Sequence, residues 1–418
     1  MDITTLGEAR FPSPQRRTVS DQARVPSRLI HDPSTAAATE DWQFELAGPR
    51  ERLFFDPTQT RAGIVTCGGL CPGLNNVIRS LFLELHYGYG VKDVLGFRGG
   101  YQGLDPVRGL EPFILTPTFV HAIHKDGGTV LGTSRGPVDI GLAVDNLIQR
   151  GINILFTVGG DGTQRGGHAL FKEAQRRGHP LAVVGIPKTI DNDVAFVSRT
   201  FGYLTAVEEA ARVLHCAHTE AHSVHNGIAL VKLMGRHAGF IAAGATVASQ
   251  DVNFTLIPEI PLHLDGEQGF LTALKRRILQ RAHALVVVAE GAGQDLLAST
   301  QDSDASGNAK LQDIGPFLRA RIEQYFQAEQ IPVTLRYFDP SYLIRSVPAD
   351  AEDSILCDFF ARNAVHAAMA GKTGLVIGLL HDSFIHVPID LLVSQKKRLD
   401  LNGPGWRAVL AATGQHLD

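Results

Sequence analysis

Residues 187–193 read Pro-Lys-Thr-Ile-Asp-Asn-Asp, so two carboxylates, Asp191 and Asp193, stand two residues apart beside Lys188 and Thr189. Such a pair can divide the work of general base and metal contact, while the lysine offsets charge on a phosphoryl group in transfer. A solvated turn rich in Asp and Asn is the competing reading. Two glycine-rich stretches precede it: Thr66-Cys67-Gly68-Gly69-Leu70-Cys71-Pro72-Gly73 and Gly159-Gly160-Asp161-Gly162-Thr163-Gln164-Arg165-Gly166. Glycines let backbone N–H groups approach an anion closely, and a following helix start adds favourable partial charge. The first stretch is equally readable as a tight structural turn. A lone Asp161 among phosphate-cradling amides would repel the ligand unless a divalent cation lay between them. That makes Asp161 a candidate magnesium ligand, against the alternative that it caps the next helix. Two further stretches, 132–137 (GTSRGP) and 234–239 (MGRHAG), supply Arg135 and Arg236, whose fixed forks suit phosphate oxygens. Each innocuous reading stands singly, but their conjunction describes phosphoryl transfer more economically than any other reaction class.

These stretches follow apolar, β-rich runs: AGIVT, VKDVLGF, INILFTV, LAVVGI, NGIALVKL, VNFTLI, ALVVVAE and TGLVIGL, separated by helical patterns. That alternation predicts mostly parallel sheets covered by helices, an α/β architecture whose ligands gather beyond the carboxyl ends of the strands. In the first helix Leu74, Val77, Ile78, Leu81, Phe82 and Leu85 recur at spacings of three and four, giving one stripe for the sheet. Its Asn75, Asn76 and Arg79 are expected to face elsewhere. Residues 1–60 carry prolines and charges without periodicity and read as an arm or irregular extension. The polar segment 296–312 reads as a surface loop.

A chain of 418 residues with 44% apolar content buries a full core, which excludes disorder and fibres. The formal net charge of −4 provides no global field for nucleic acid or an anionic membrane. No apolar run reaches the roughly 18 residues of a membrane span, and the first twenty residues lack a secretory pattern, so a cytoplasmic location is expected. Four cysteines at these spacings suggest thiols, and Cys67 and Cys71 lack a second pair for zinc. Two patterns are decoys. Gly371-Lys372-Thr373 imitates the end of a Walker loop, but it follows a helix and enters a strand, the reverse of what that motif requires. His215, His218, His222 and His225 would line one face if their helix continued; an interface or solvated face is the expectation over a metal site.

The segments GGLCPGLNNVIR, LGTSRGP, GGDGTQRGG, PKTIDND, FGYLTAVEEA, MGRHAGF, AEGAGQ and YFDPSYLIR, in this order, resemble the phosphofructokinase family over about residues 61–375. The resemblance is closest to its longer branch from plants and trypanosomatids. It implies two Rossmann-like domains: a phosphoryl-donor domain over 61–200, with a contribution from the C-terminal part of the chain, and a sugar-phosphate domain over 201–375. Residues 376–418 are expected to pack back on the body. It further implies that Asp191 is the base on the sugar 1-hydroxyl, assisted by Lys188, Thr189 and Arg236, and that Asp161 and Asp193 hold or orient Mg²⁺. Gly68, Arg135, Gly160, Gly162 and Thr163 would line the donor site. Thr189, Asp191, Met234, Gly235, Arg236, Glu290, Tyr342 and Arg345 would line the sugar phosphate site. Arg336 would reach a 6-phosphate from a neighbouring subunit, so a homodimer or homotetramer is expected. Tyr342 stands where the short bacterial enzymes have histidine, and Gly227 where they place a further arginine.

On this resemblance the substrates are fructose 6-phosphate and ATP, with no nucleic-acid or membrane partner. Pyrophosphate as donor is the alternative, and a catalytically silent, effector-binding relative the third reading, which intact Asp161, Asp191, Asp193 and Arg236 oppose. Pyrophosphate-using relatives carry aspartate where this chain has Gly162, and a carboxylate there would repel the α-phosphate of a nucleotide. Lys188 points the other way, since short ATP enzymes have glycine there. The long ATP-using branch combines glycine and lysine, so ATP is the expected donor.

Overall fold

The computed structural model describes residues 1–29, 42–297 and 311–415, so most of the expected surface loop at 296–312 lies outside the described residues. The chain divides into two compact units. The first comprises Met1–Thr189, Val194–Gly202 and Val347–Lys396; the second comprises Ile190–Asp193, Tyr203–Ser346 and Lys397–Asp418.

In the first unit the strands Asp93–Arg98, Arg61–Thr66, Ile154–Gly159, Ala182–Pro187 and Leu375–Leu380 lie side by side and parallel. Ile154–Gly159 and Ala182–Pro187 are buried at every position. Both faces are covered, which is why these strands appear in sequence as unbroken apolar runs. Antiparallel strands complete the sheet: Leu110–Ile114 on one side, and Ser383–Pro388, Gln43–Leu46 and Arg24–Pro26 on the other. Part of the N-terminal arm is therefore sheet, in strands too short to show alternation. It is anchored by Glu45, whose carboxylate accepts from Arg50 Nη2 at 2.6 Å and His386 Nδ1 at 3.0 Å and pairs with Lys372 Nζ at 2.8 Å. Burial alone would raise the Glu45 pKa, but hydrogen bonds and charge from His386 and Lys372 outweigh it and hold it well below the usual range.

The helix Leu74–Leu83 buries the expected stripe, yet Asn75 and Asn76 are buried as well, which corrects their assignment to another face. Asn75 donates to Asp126 O at 3.0 Å and accepts from Val130 N at 2.8 Å; Asn76 donates to Ser354 Oγ at 3.1 Å. A buried amide must find such partners, so these two brace the neighbouring loop and helix instead of meeting water. The helix Ala351–Met369 packs on Leu74–Leu83 and on Ala182–Pro187. That buried apolar face places residues 347–375 with the first unit, a difference from the expected boundary at 375. Lys372 and Thr373 are structural here: Thr373 Oγ1 accepts from Val183 N at 2.9 Å and donates to Leu181 O at 3.2 Å.

The second unit contains four parallel strands in the order Phe254–Leu256, His283–Ala289, Gly227–Leu233, Thr334–Phe338 among the described residues. Its core joins Ile228, Leu230, Val286 and Val288 of the sheet to Leu274, Ile278, Leu318 and Ile322 of the helices Phe270–Arg281 and Ile314–Ala328. Thr334–Phe338 has no fully buried residue, so no apolar run announced it. At the opposite edge the Gln415 amide accepts from Thr255 N at 2.7 Å and donates to Thr255 O at 3.1 Å, imitating a neighbouring strand. The helix Tyr203–His222 stops at His222, so His225 lies beyond it. His218 and His222 instead stack near His283, at ring distances of 5.4 and 4.9 Å.

Candidate active site

In the first unit the strands ending at Thr66, Gly159 and Pro187 are neighbours, so their carboxyl-terminal loops converge as parallel topology requires. Lys188 is buried and its ammonium donates to Gly69 O at 2.7 Å. Thr133 Oγ1 donates to Gly68 O at 2.6 Å and Gly68 N to Ser134 O at 3.2 Å, stitching the 68–69 turn to the loop that carries Arg135. Arg135 itself is exposed. The structure thus brings Gly68, Arg135 and Lys188 into one set of interlocked loops.

The helix Asp161–Arg176 begins directly after Ile154–Gly159, with Gly160 at the capping position and no side-chain cap. Asp161 is therefore the first helical residue, which overturns the reading of it as a cap. Its carboxylate, mostly shielded, pairs with Lys396 Nζ at 3.0 Å. Gly162 faces open space: a Cβ there would meet no atom within 4 Å. Thr163 is buried, and Gln164 donates to Gly159 O at 2.9 Å and to Ile186 O at 3.3 Å. Gln164 thereby braces two adjacent loops, a role that sequence reasoning missed because a glutamine inside a glycine-rich stretch carries no local signal. Thr189, also in this unit, accepts through its carbonyl from Thr200 Oγ1 at 2.7 Å.

In the second unit the strands ending at Leu233, Ala289 and Phe338 are also adjacent, and Met234-Gly235-Arg236, Glu290 and Tyr342 with Arg345 follow them. Gly235 has φ +128°, and a Cβ on Gly291 would lie 2.0 Å from Arg236 O, so the two loops touch backbone to backbone as only glycine permits. The Arg236 amide donates to Asp191 Oδ2 at 3.3 Å, which sets the Asp191 carboxylate against the arginine loop. Burial raises the Glu290 pKa, opposed by the charges of Arg236 and Lys232. Arg345 lies 4.6 Å over the Tyr342 ring, and its buried Nε has no hydrogen-bond partner among the described residues. A donor held without a partner fits an anion contact. Arg336 differs: it lies within its strand, exposed, in a concavity shared with His215, Thr219 and Glu220. The structure does not bring it into the loop cluster.

Sequence reasoning also missed Lys397, Glu259 and Lys232. Lys232 pairs with Asp313 at 2.9 Å and with Asp339 at 2.8 Å. Among the described residues no group of three or more His, Cys, Asp or Glu is arranged to hold a metal. A magnesium ion carried by one or two carboxylates, with waters and phosphate oxygens completing the shell, fits Asp161 and Asp193 better than an all-protein cage.

Fold and site together define a phosphoryl-transfer class of α/β protein, with anion-holding loops beyond the strand ends of two parallel sheets. The chain belongs to the phosphofructokinase family, whose profile matches residues 61–368. It is 45% identical over 433 aligned residues to an ATP-dependent 6-phosphofructokinase of Borreliella burgdorferi, covering 99% of this chain and 96% of the relative. It is 44% identical to ATP-dependent 6-phosphofructokinase 1 of Arabidopsis thaliana, covering 95% and 84%. A Trypanosoma cruzi ATP-dependent 6-phosphofructokinase is 49% identical, with 88% and 76% covered. The resemblance to plant and trypanosomatid members is thus borne out. Among solved structures, the pyrophosphate-dependent phosphofructokinase of Marinobacter aquaeolei shares the fold, with a TM-score of 0.71 at 21% identity over 85% of this chain and 91% of that one.

Proposed function

We propose that the protein is an ATP-dependent 6-phosphofructokinase, transferring the γ-phosphoryl group of ATP to the 1-hydroxyl of fructose 6-phosphate. The observation that carries this reading is the identity of 44–49% to relatives so named, extending over most of both chains. Asp191 takes the proton from the 1-hydroxyl, whose oxygen bonds to the γ-phosphorus as the bond to the leaving ADP oxygen breaks. Lys188 and Arg236 offset the charge spread over the phosphoryl oxygens, with Thr189 beside the base. Gly68, Arg135, Gly160, Gly162 and Thr163 receive the nucleotide phosphates. Met234, Gly235, Glu290, Tyr342 and Arg345 hold the sugar phosphate, and Arg336 serves that of a neighbouring subunit in a homodimer or homotetramer. Mg²⁺, when bound through Asp161 and Asp193, neutralises phosphate charge. No helix among the described residues is long and apolar enough to cross a membrane. A cytoplasmic site of action is part of this proposal.

The test is a coupled assay for fructose 1,6-bisphosphate with ATP and then pyrophosphate, on the wild type and Asp191→Asn. Wild type should turn over with ATP, and the variant should lose about 10² to 10⁴ in kcat with its sugar KM nearly intact. Near-normal turnover by the variant refutes Asp191 as base. Wild-type activity on pyrophosphate alone refutes ATP as donor.

A further inference from the structure

The segment Lys397–Leu399 enters the second unit far along the chain from any family motif, yet it bonds to the loops that carry the acceptor-side chemistry. Lys397 Nζ donates to Asn192 Oδ1 at 3.0 Å, a contact across 205 residues of sequence. Its backbone N donates to Asp193 O at 3.2 Å. Two residues later, Leu399 N donates to Glu259 Oε1 at 2.9 Å, and both Glu259 oxygens accept from Gly239 N, at 3.0 and 3.1 Å. Gly239 closes the Met234–Gly239 loop, and the next residue, Phe240, lies with its ring 4.9 Å beneath the Lys397 ammonium. Asn192, between the two carboxylates, is buried and left-handed at φ 55°. Asn tolerates that region better than most residues, but the turn still needs an external hold.

We propose that Lys397 is a positioning residue: through Asn192 it locks the turn that aims Asp191 and Asp193, while the same segment ties that turn to the Arg236 loop through Glu259. The proposal rests on Asp191 acting as the base. A lysine retained only for packing would be a poor choice here. Burial disfavours its charge and brings its pKa down to about 7, against the opposing pull of Asp193, whereas methionine of similar length would fill the space without that cost. The specific property that lysine adds is a donor on a long stem, directed at the Asn192 side chain.

Lys397→Met keeps the stem over Phe240 and removes the donor; Asn192→Gly keeps the left-handed backbone and removes the acceptor. Each should lower kcat about 10- to 100-fold, the usual result of misplacing a reacting group by an ångström or less, with KM for fructose 6-phosphate within about threefold of wild type. The double variant should be no worse than the poorer single one, since both act on one contact. Lys397→Gln, which retains a shorter donor, should recover part of the loss, and it serves as the second probe if the Met variant folds poorly. Wild-type kcat in Lys397→Met, or losses that multiply in the double variant, overturns the proposal. Asp191→Asn is the control. If it retains turnover, the assignment of the base fails and this inference with it; if it is inactive while Lys397→Met is normal, only the positioning role fails.

Discussion

Replacing Gly162 by aspartate tests the choice of phosphoryl donor most directly. Gly162 is the second residue of the helix Asp161–Arg176, and a side chain there meets no atom within 4 Å, so the substitution costs no steric strain. A carboxylate in the first turn also interacts favourably with the helix dipole, by about 0.3–1 kcal/mol, which offsets part of its repulsion from Asp161. Folding should therefore survive, and a thermal melt checks it. Toward a nucleotide the effect is opposite. Between unit charges at an effective dielectric of about 20, repulsion is about 4 kcal/mol at 4 Å and about 2 kcal/mol at 8 Å. Since 1.36 kcal/mol is a factor of ten, kcat/KM for ATP should fall roughly 30-fold to 10³-fold. Gly162→Ala adds bulk without charge and should lose far less. Both variants and the wild type are assayed with ATP and with pyrophosphate at saturating magnesium, and any pyrophosphate activity should decline much less than ATP activity. ATP turnover preserved in Gly162→Asp, or lost equally in Gly162→Ala, would refute the electrostatic argument.

Arg345→Ala and Arg336→Ala should chiefly raise KM for fructose 6-phosphate, because both are assigned to a phosphate that does not react; a change confined to ATP affinity would show the acceptor map to be wrong. In the first unit, Glu45 has a folded-state pKa below its ordinary 4.5, so its contribution to stability is complete above about pH 4.5 and is lost as pH falls toward the folded value. Glu45→Gln should accordingly melt lower than wild type at pH 7, where it leaves Lys372 and Arg50 buried without their carboxylate, and the gap should narrow below pH 4.5. A gap that stays constant down to pH 3 would show that the ion pairs contribute nothing.

The strands ending at Thr66, Gly159, Pro187, Leu233 and Ala289 were legible because full burial on both faces writes a continuous apolar run into the chain, and a parallel sheet puts chemistry in the loop just after each run. The candidate residues Gly68, Asp161, Lys188, Asp191, Arg236 and Glu290 all lie within a few residues of such an end, so local sequence was enough to find them. Thr334–Phe338 is half exposed and carries no run, and the arm strands Arg24–Pro26 and Gln43–Leu46 are too short to show alternation, so tertiary pairing alone reveals them. Asn75 and Asn76 read as solvent-facing because residue type reports polarity but not the presence of a partner 51 or 278 residues away. Lys397 is the extreme case: its meaning lies in Asn192, 205 residues earlier, and no periodicity or motif connects two positions that only the folded chain brings within 3.0 Å.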